Sequence, residues 1–205
     1  MSLATTLWQA NADLAAAALA HPFVRGLADG SLPREAFAGY IAQDAFFLES
    51  FARAYALALA YSPDRAGLDA FADLLAGVRE ELALHAGYAS RWGVDLPGVR
   101  PAPATMAYTD FLLATASLGG TGLTCAAMTP CMRLYAFLGQ RLAQGPVGAD
   151  YAEWVKTYAD PGFEKLASTL EGLLDTYLDD ADRGAAAYRR AMRLELAFFD
   201  AAYEA

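Results

Sequence analysis

Pro33-Arg34-Glu35-Ala36-Phe37-Ala38-Gly39-Tyr40-Ile41-Ala42-Gln43-Asp44-Ala45-Phe46-Phe47-Leu48 opens a stretch, running on to Ala60, whose reading decides the fold. Ser31 ahead of Pro33 and Glu35 is a helix start, with a capping side chain, a proline at the first turn and an acid near the positive end of the dipole. Alanine and leucine dominate the remainder of the stretch. Valine and isoleucine, which strands favour, are scarce, and no run alternates with period two. Tyr40, Asp44 and Phe47 stand at i−4, i and i+3, so they share one helical face. A carboxylate among aromatics is costly unless a donor meets it. Asp44 is therefore either a core acid bonded to a tyrosine or arginine of a neighbouring helix, or a ligand-binding group.

The same reading extends along the chain. Ser62-Pro63-Asp64 starts another helix, Asp150 with Glu153 resembles a capping box, and Asp160-Pro161 places a cap before a first-turn proline. Gly30, Gly93, Gly119-Gly120, Gly145 and Gly184 mark breaks. Helices are expected at about 3–20, 33–60, 63–91, 104–118, 122–143, 149–159, 161–179 and 184–203, with Trp92 to Pro103 as the longest loop. Long helices joined by short loops predict an all-α bundle, one domain over residues 1–205, with a site in the bundle core.

Composition narrows the function. The net charge of −9 repels phosphate backbones and anionic lipid, so neither nucleic acid nor a membrane surface is an expected partner. No apolar run is long enough to span a bilayer. Met1-Ser2-Leu3-Ala4 lacks a basic segment, and Asn11 and Asp13 interrupt the apolar run after it, so no signal peptide is expected. Cys125 and Cys131 on one helix would lie roughly 9 Å apart along its axis, too far for a disulfide. Two reduced thiols point to the cytoplasm.

Several residues could carry chemistry. In Thr129-Pro130-Cys131-Met132-Arg133-Leu134-Tyr135, Pro130 either starts a helix capped by Thr129 or kinks a continuous one. In the first case Cys131 sits at the positive end of the dipole, which lowers a thiol pKa; otherwise it is a buried, inert cysteine. Tyr135 lies one turn later on the same face. Cys125 reads as core. Glu195 precedes Phe198 and Phe199 at i+3 and i+4; it is either a desolvated acid with a raised pKa or a solvated residue beside a core stripe. Asp200 reads as surface or cap. Tyr108 and Tyr158 lie on apolar faces, as packing residues or as pocket walls. Glu81 and His85 share a face at i, i+4, but Leu82 occupies the place a Glu-x-x-His di-iron motif needs, and His21 precedes Pro22, which disfavours a helical setting. No metal site is expected, and His85 reads as a helix-surface or core-edge residue paired with Glu81. Phosphate-binding and nucleophile-elbow motifs are absent from the sequence.

Taken in order, His21-Pro22-Phe23-Val24, Gly30-Ser31-Leu32-Pro33, Tyr40, Gln43-Asp44, Pro130-Cys131, Tyr135, Glu195, Phe198-Phe199 and Ala201-Ala202-Tyr203 resemble the TenA family, the thiaminase II group, along nearly the whole chain. The resemblance implies a haem-oxygenase-like bundle, usually a homotetramer. It implies hydrolysis of 4-amino-5-aminomethyl-2-methylpyrimidine to the hydroxymethylpyrimidine, with slower cleavage of thiamin, and no cofactor. Position by position, it implies Cys131 as nucleophile and Asp44 as the acid on the pyrimidine amino group and a ring nitrogen. Glu195 is implied as the proton-transfer group, with Tyr108, Tyr135, Tyr158 and Phe198 as pocket walls. Phe47 stands where many members carry a tyrosine, so its ring can pack on a substrate without offering a hydroxyl. Phe199 stands where tryptophan is usual.

Two other classes compete. A haem or di-iron oxygenase, or a quinone-cofactor synthase, would need histidines or a basic pocket, and the chain has two histidines in an acidic background. A pyrimidine-binding regulator would hold the ring without turnover, which an assay separates.

Overall fold

The computed structural model describes residues 1–204. Ten α-helices follow one another: α1 Leu3–Ala10, α2 Ala12–Ala20, α3 Pro22–Asp29, α4 Arg34–Ala60, α5 Arg65–Trp92, α6 Pro103–Leu118, α7 Gly120–Leu142, α8 Ala152–Tyr158, α9 Pro161–Tyr177 and α10 Ala181–Glu204. A 3₁₀ turn, Ala149–Tyr151, leads into α8. No strand occurs among the described residues, and no helix is long and apolar enough to cross a membrane.

Helix α7 is the axis of the bundle. Every residue from Thr121 to Pro130 is buried, as expected for a helix apolar on all sides. It packs against α9, α10, α8 and α6, while α4 lies across α5, α6, α7 and α10. Gly139 lets α8 come close, since a Cβ there would overlap the Tyr158 backbone.

The long helices begin within a few residues of their start signals, but Ser31 does not cap α4, whose N-cap is Pro33 with no side-chain hydrogen bond, and Gly184, expected as a break, lies inside α10. The Asp64 carboxylate accepts from the Gly67 amide at 2.8 Å and caps α5; that of Asp160 accepts from Gly162 at 2.7 Å and caps α9. Gly30 and Gly93 end α3 and α5 in the left-handed conformation.

Other details also differ from the sequence reading. The expected helix 3–20 breaks at Asn11, whose buried amide donates to the Leu7 carbonyl at 2.8 Å and accepts from Arg189 at 3.1 Å, drawing it out of the helical ladder. Residues 22–29, where no helix is expected, form α3: Pro22 occupies the first helical position and His21 Nδ1 accepts from the Phe23 amide at 3.1 Å. Proline after His21 begins a helix here rather than excluding one. Asp150 and Glu153 form no capping box; Glu153 pairs instead with Arg91.

Candidate active site

Polar residues that interrupt apolar stripes go into the core with them. On α4, Phe37, Tyr40, Ile41, Asp44, Phe47, Leu48 and Phe51 are all buried, and Asp44 is 4% exposed. On α10, Tyr188, Met192, Glu195, Phe198 and Phe199 form the same kind of stripe, with Glu195 2% exposed. On α5 the stripe is Phe71, Leu74, Val78, Glu81, His85 and Tyr88. The three stripes converge around the middle of α7, where Cys131 and Tyr135 stand.

Glu195 is the meeting point on one side. Its Oε1 accepts from the Tyr108 hydroxyl of α6 at 2.6 Å, and the Cys131 thiol lies close enough to the same carboxyl for each to shift the other's pKa. Burial raises the Glu195 pKa to about 7, with the Asp44 charge adding to the rise and the Tyr108 and Cys131 donors opposing it. An acid near 7 can both take and give a proton at neutral pH.

Cys131 itself corrects the dipole expectation. Helix α7 runs unbroken through Pro130, so the thiol sits in mid-helix and not at a positive end. Desolvation pushes its pKa well above the ordinary thiol value, and the nearby charges of Glu195, Glu81 and Asp44 push it the same way. The resting sulfur is a thiol, and the group placed to take its proton is Glu195.

Asp44 and His85 make the opposite side. His85 Nε2 donates to Asp44 Oδ2 at 2.6 Å, and its Nδ1 faces the Glu81 carbonyl at 2.9 Å. His85 is 1% exposed, not the surface or core-edge residue its spacing from Glu81 suggests. Burial alone would lower the imidazole pKa, but the Asp44 hydrogen bond and charge outweigh it and raise it to about 9. His85 is therefore an imidazolium at neutral pH, hydrogen-bonded to the Asp44 carboxyl. Glu81, half-buried, accepts the Tyr158 hydroxyl at 2.6 Å; desolvation and the Asp44 charge raise its pKa to about 7.

The aromatic walls close the space between. Phe47 packs on Tyr108 with ring centroids 4.7 Å apart, and on Phe198 at 6.0 Å. Tyr135 lies 4.8 Å from Tyr158. Its hydroxyl accepts from Tyr40, which in turn accepts from Trp154 Nε1, both at 3.2 Å. The structure thus brings together Cys131, Glu195, Asp44, Phe47, Tyr108, Tyr135, Tyr158 and Phe198. Among residues that the sequence does not assign to a site, it adds His85, Glu81, Tyr40 and Trp154. For two of these a signal is present, since Glu81 and His85 occupy the same i, i+3, i+4 stripe as Phe71, Leu74, Val78 and Tyr88. Gln43 has a different task from its neighbour. Its amide oxygen accepts from Ala102 N at 2.8 Å and Thr105 Oγ1 at 2.7 Å, and its amide nitrogen donates to the Arg100 carbonyl at 3.0 Å, pinning the long loop to α4. Asp200 bonds His21 at the surface, and Cys125 is buried core. Among the described residues no group of three or more His, Cys, Asp or Glu side chains is arranged to hold a metal ion.

Residues 8–205 match the model of the TENA/THI-4/PQQC family. The chain is 34% identical to the aminopyrimidine aminohydrolase of Halalkalibacterium halodurans over 99% of its own length and 96% of that protein. It is 36% identical to the bifunctional TH2 protein of Arabidopsis thaliana over 88% of its own length, and spans only about a third (34%) of that longer chain. A crystal structure described as a TenA family transcription regulator from Silicibacter superposes with a TM-score of 0.92 at 29% identity, covering 98% of this chain and 97% of that one. A Shewanella denitrificans domain with a haem oxygenase-like fold superposes with a TM-score of 0.78 at 15% identity, covering 98% and 91%, a likeness of fold alone.

Proposed function

The chain belongs to the TENA/THI-4/PQQC family, and on that premise we propose that it is a thiamin-salvage hydrolase. It converts 4-amino-5-aminomethyl-2-methylpyrimidine to the 5-hydroxymethyl compound and cleaves thiamin as a secondary activity. The observation that carries this reading is the convergence of the Cys131 thiol with a buried Glu195 carboxyl, held by Tyr108 and raised in pKa to about 7, opposite a buried Asp44 and between aromatic walls.

The chemistry follows from that convergence. Asp44, oriented by His85, holds the aminopyrimidine edge, and Phe47, Phe198, Tyr135 and Tyr158 enclose the ring and exclude water. As sulfur adds to the electron-poor ring carbon next to the substituted one, Glu195 takes the thiol proton. The electron density gained by the ring expels the substituent on the exocyclic methylene, and Glu195 returns the proton to the leaving amine, giving ammonia. Water then adds to the methylene carbon and loses a proton to Glu195. The ring is restored as the carbon–sulfur bond breaks, and the departing sulfur recovers that proton. Tyr108 holds the Glu195 carboxyl in place throughout.

Activation of the thiol thus comes from a neighbouring acid–base, as general nucleophilic catalysis requires, in place of a helix end. The chain is taken to act in the cytoplasm as a homotetramer, with no nucleic-acid partner. An assay of the purified protein with aminomethylpyrimidine and with thiamin, before and after alkylation of its thiols, tests the reading. Turnover of both, abolished by alkylation and by Cys131→Ser with an unchanged melting temperature, is the expected result. Undiminished turnover in Cys131→Ser would refute the covalent route, and tight binding of the pyrimidine with no product would favour a binding protein.

A further inference from the structure

Beside the Cys131 centre, a cleft of about 640 Å³ opens between α5, α8 and α9, with Met132 of α7 and Tyr55 of α4 in its wall. Its volume falls within the range of small-molecule sites. Its apolar lining includes Leu74, Leu84, Phe163 and Leu166. Five carboxylates border it. Glu153 is neutralised by Arg91, Asp160 is engaged in capping α9 and Glu81 is partnered by Tyr158 and lies in the field of His85, while Asp73 and Glu80 meet no cation among the described residues. Lys156 is the one basic side chain among the lining residues. The cleft is therefore apolar with a negative rim.

A second observation points to a ligand. The Tyr55 ring is fully buried, yet its hydroxyl has no hydrogen-bond partner among the described residues. A buried unpaired hydroxyl costs about 1–3 kcal/mol, and this one belongs to a residue lining the cleft. The cleft also adjoins the reacting centre, because Met132 follows Cys131 in the chain and Glu81 serves both regions: it lines the cleft, and its charge acts on the Cys131 thiol.

The geometry points to this cleft as the subsite for the leaving group of bulky substrates, taking a flat, N-alkylated heteroaromatic cation such as a thiazolium. The apolar walls cover its ring, Asp73 and Glu80 offset its charge, and the Tyr55 hydroxyl gains a polar partner from it. An aminomethyl substituent is too small to reach beyond the Glu195 contact and leaves the cleft unused. The subsite rests on the hydrolase reading for its role but not for its detection.

N-methylthiazolium alone is the probe. Calorimetric titration into the full chain is expected to show binding that weakens about two- to fivefold in Asp73→Asn and again in Glu80→Gln, and that weakens further at high salt. Tyr55→Phe is expected to bind less while melting at a higher temperature, since an unpaired hydroxyl has been removed; a hydroxyl with only a packing role would move the melting temperature and leave binding alone. In turnover, the same three variants should lower kcat/KM for thiamin and leave aminomethylpyrimidine unchanged. No binding of N-methylthiazolium by the wild type, or equal binding by all variants, would overturn the proposal. Should the wild type hydrolyse neither substrate, the hydrolase reading fails while the titration still decides the cleft.

Discussion

Helix α7 carries two polar clusters on opposite sides, and they are built on opposite rules. Cys131 and Arg133 are two residues apart, a rotation of about 200° on a helix. Outward, the Arg133 guanidinium donates to both Glu164 oxygens at 2.9 Å and to the two Glu171 oxygens at 2.7 and 2.6 Å. The Arg133 Nη2 also lies 3.4 Å from Ser168 Oγ. There the forked donor is saturated by carboxylates and the contact locks α7 to α9. Inward, Asp44, Glu81 and Glu195 converge near one thiol with a single cation, His85, among them. Two of those acids, Glu81 and Glu195, have pKa values raised to about 7 by burial. A cluster built for stability satisfies its charges, whereas this one keeps protons in play at neutral pH, which is what acid–base work needs and what a packed core would avoid.

The sharpest way to test that contrast is to remove the one inner cation. His85→Gln leaves Asp44 buried beside a neutral amide. The expected loss is about 3–5 kcal/mol of stability, the usual consequence of breaking a buried pair by one partner, measured by urea unfolding at pH 7. A histidine raised from 6.5 to about 9 contributes stability that is complete below pH 6.5 and disappears as pH climbs through 9. The wild type should lose stability across that window and the variant should show a flatter profile there. Equal stability of the two proteins at pH 7 would mean that the inner cluster is no more strained than the outer one.

Next in size is the acid itself. Glu195→Gln keeps shape and removes the proton carrier, so kcat should fall about 10²- to 10³-fold. On the proposed mechanism the wild-type rate should rise with pH toward a plateau above about 7, because in it Glu195 is ionised when it takes the thiol proton. That limb should vanish in the variant. The same change should stabilise the fold above pH 7, where a buried carboxylate with a raised pKa is a cost, and should do little below 4.5, where it is protonated folded or unfolded. A variant that keeps the wild-type rate and pH limb would transfer the proton work to another group, with Glu81 next in line.

How much of this the sequence discloses depends on the residue. The long helices are legible because stripes at i, i+3, i+4 recur over several turns, and Asp44 and Glu195 are legible as acids within such stripes. Glu81 and His85 lie in an equally clear stripe, but their spacing invites comparison with a metal motif, and failing that test conceals that the stripe itself buries them. The Asp44–His85 bond joins residues 41 apart in the chain, a pairing that no local pattern encodes. Pro130 is equally instructive. Sequence allows it to start or to interrupt a helix, and only the burial of α7 on all sides decides for an unbroken one. The acid–base beside Cys131 therefore stands across the bundle, on α10: its own stripe discloses a buried acid, but no pattern within either helix discloses that it faces Cys131.

The smallest effect should come from the outer cluster. Arg133→Met keeps a long apolar stem against α9 and removes the charge. Glu164 and Glu171 retain 36% and 22% side-chain exposure, so water can take over part of what the guanidinium gave them, and the cost should be limited to about 1–2 kcal/mol. Turnover of aminomethylpyrimidine should be unchanged, because Arg133 points away from the thiol and its acceptors have no contact with Glu195. Measured side by side, the melting temperature should drop and kcat/KM should hold. If kcat/KM fell with stability held constant, the two faces of α7 would be coupled through the helix, and the division between a cluster that braces and a cluster that reacts would have to be given up.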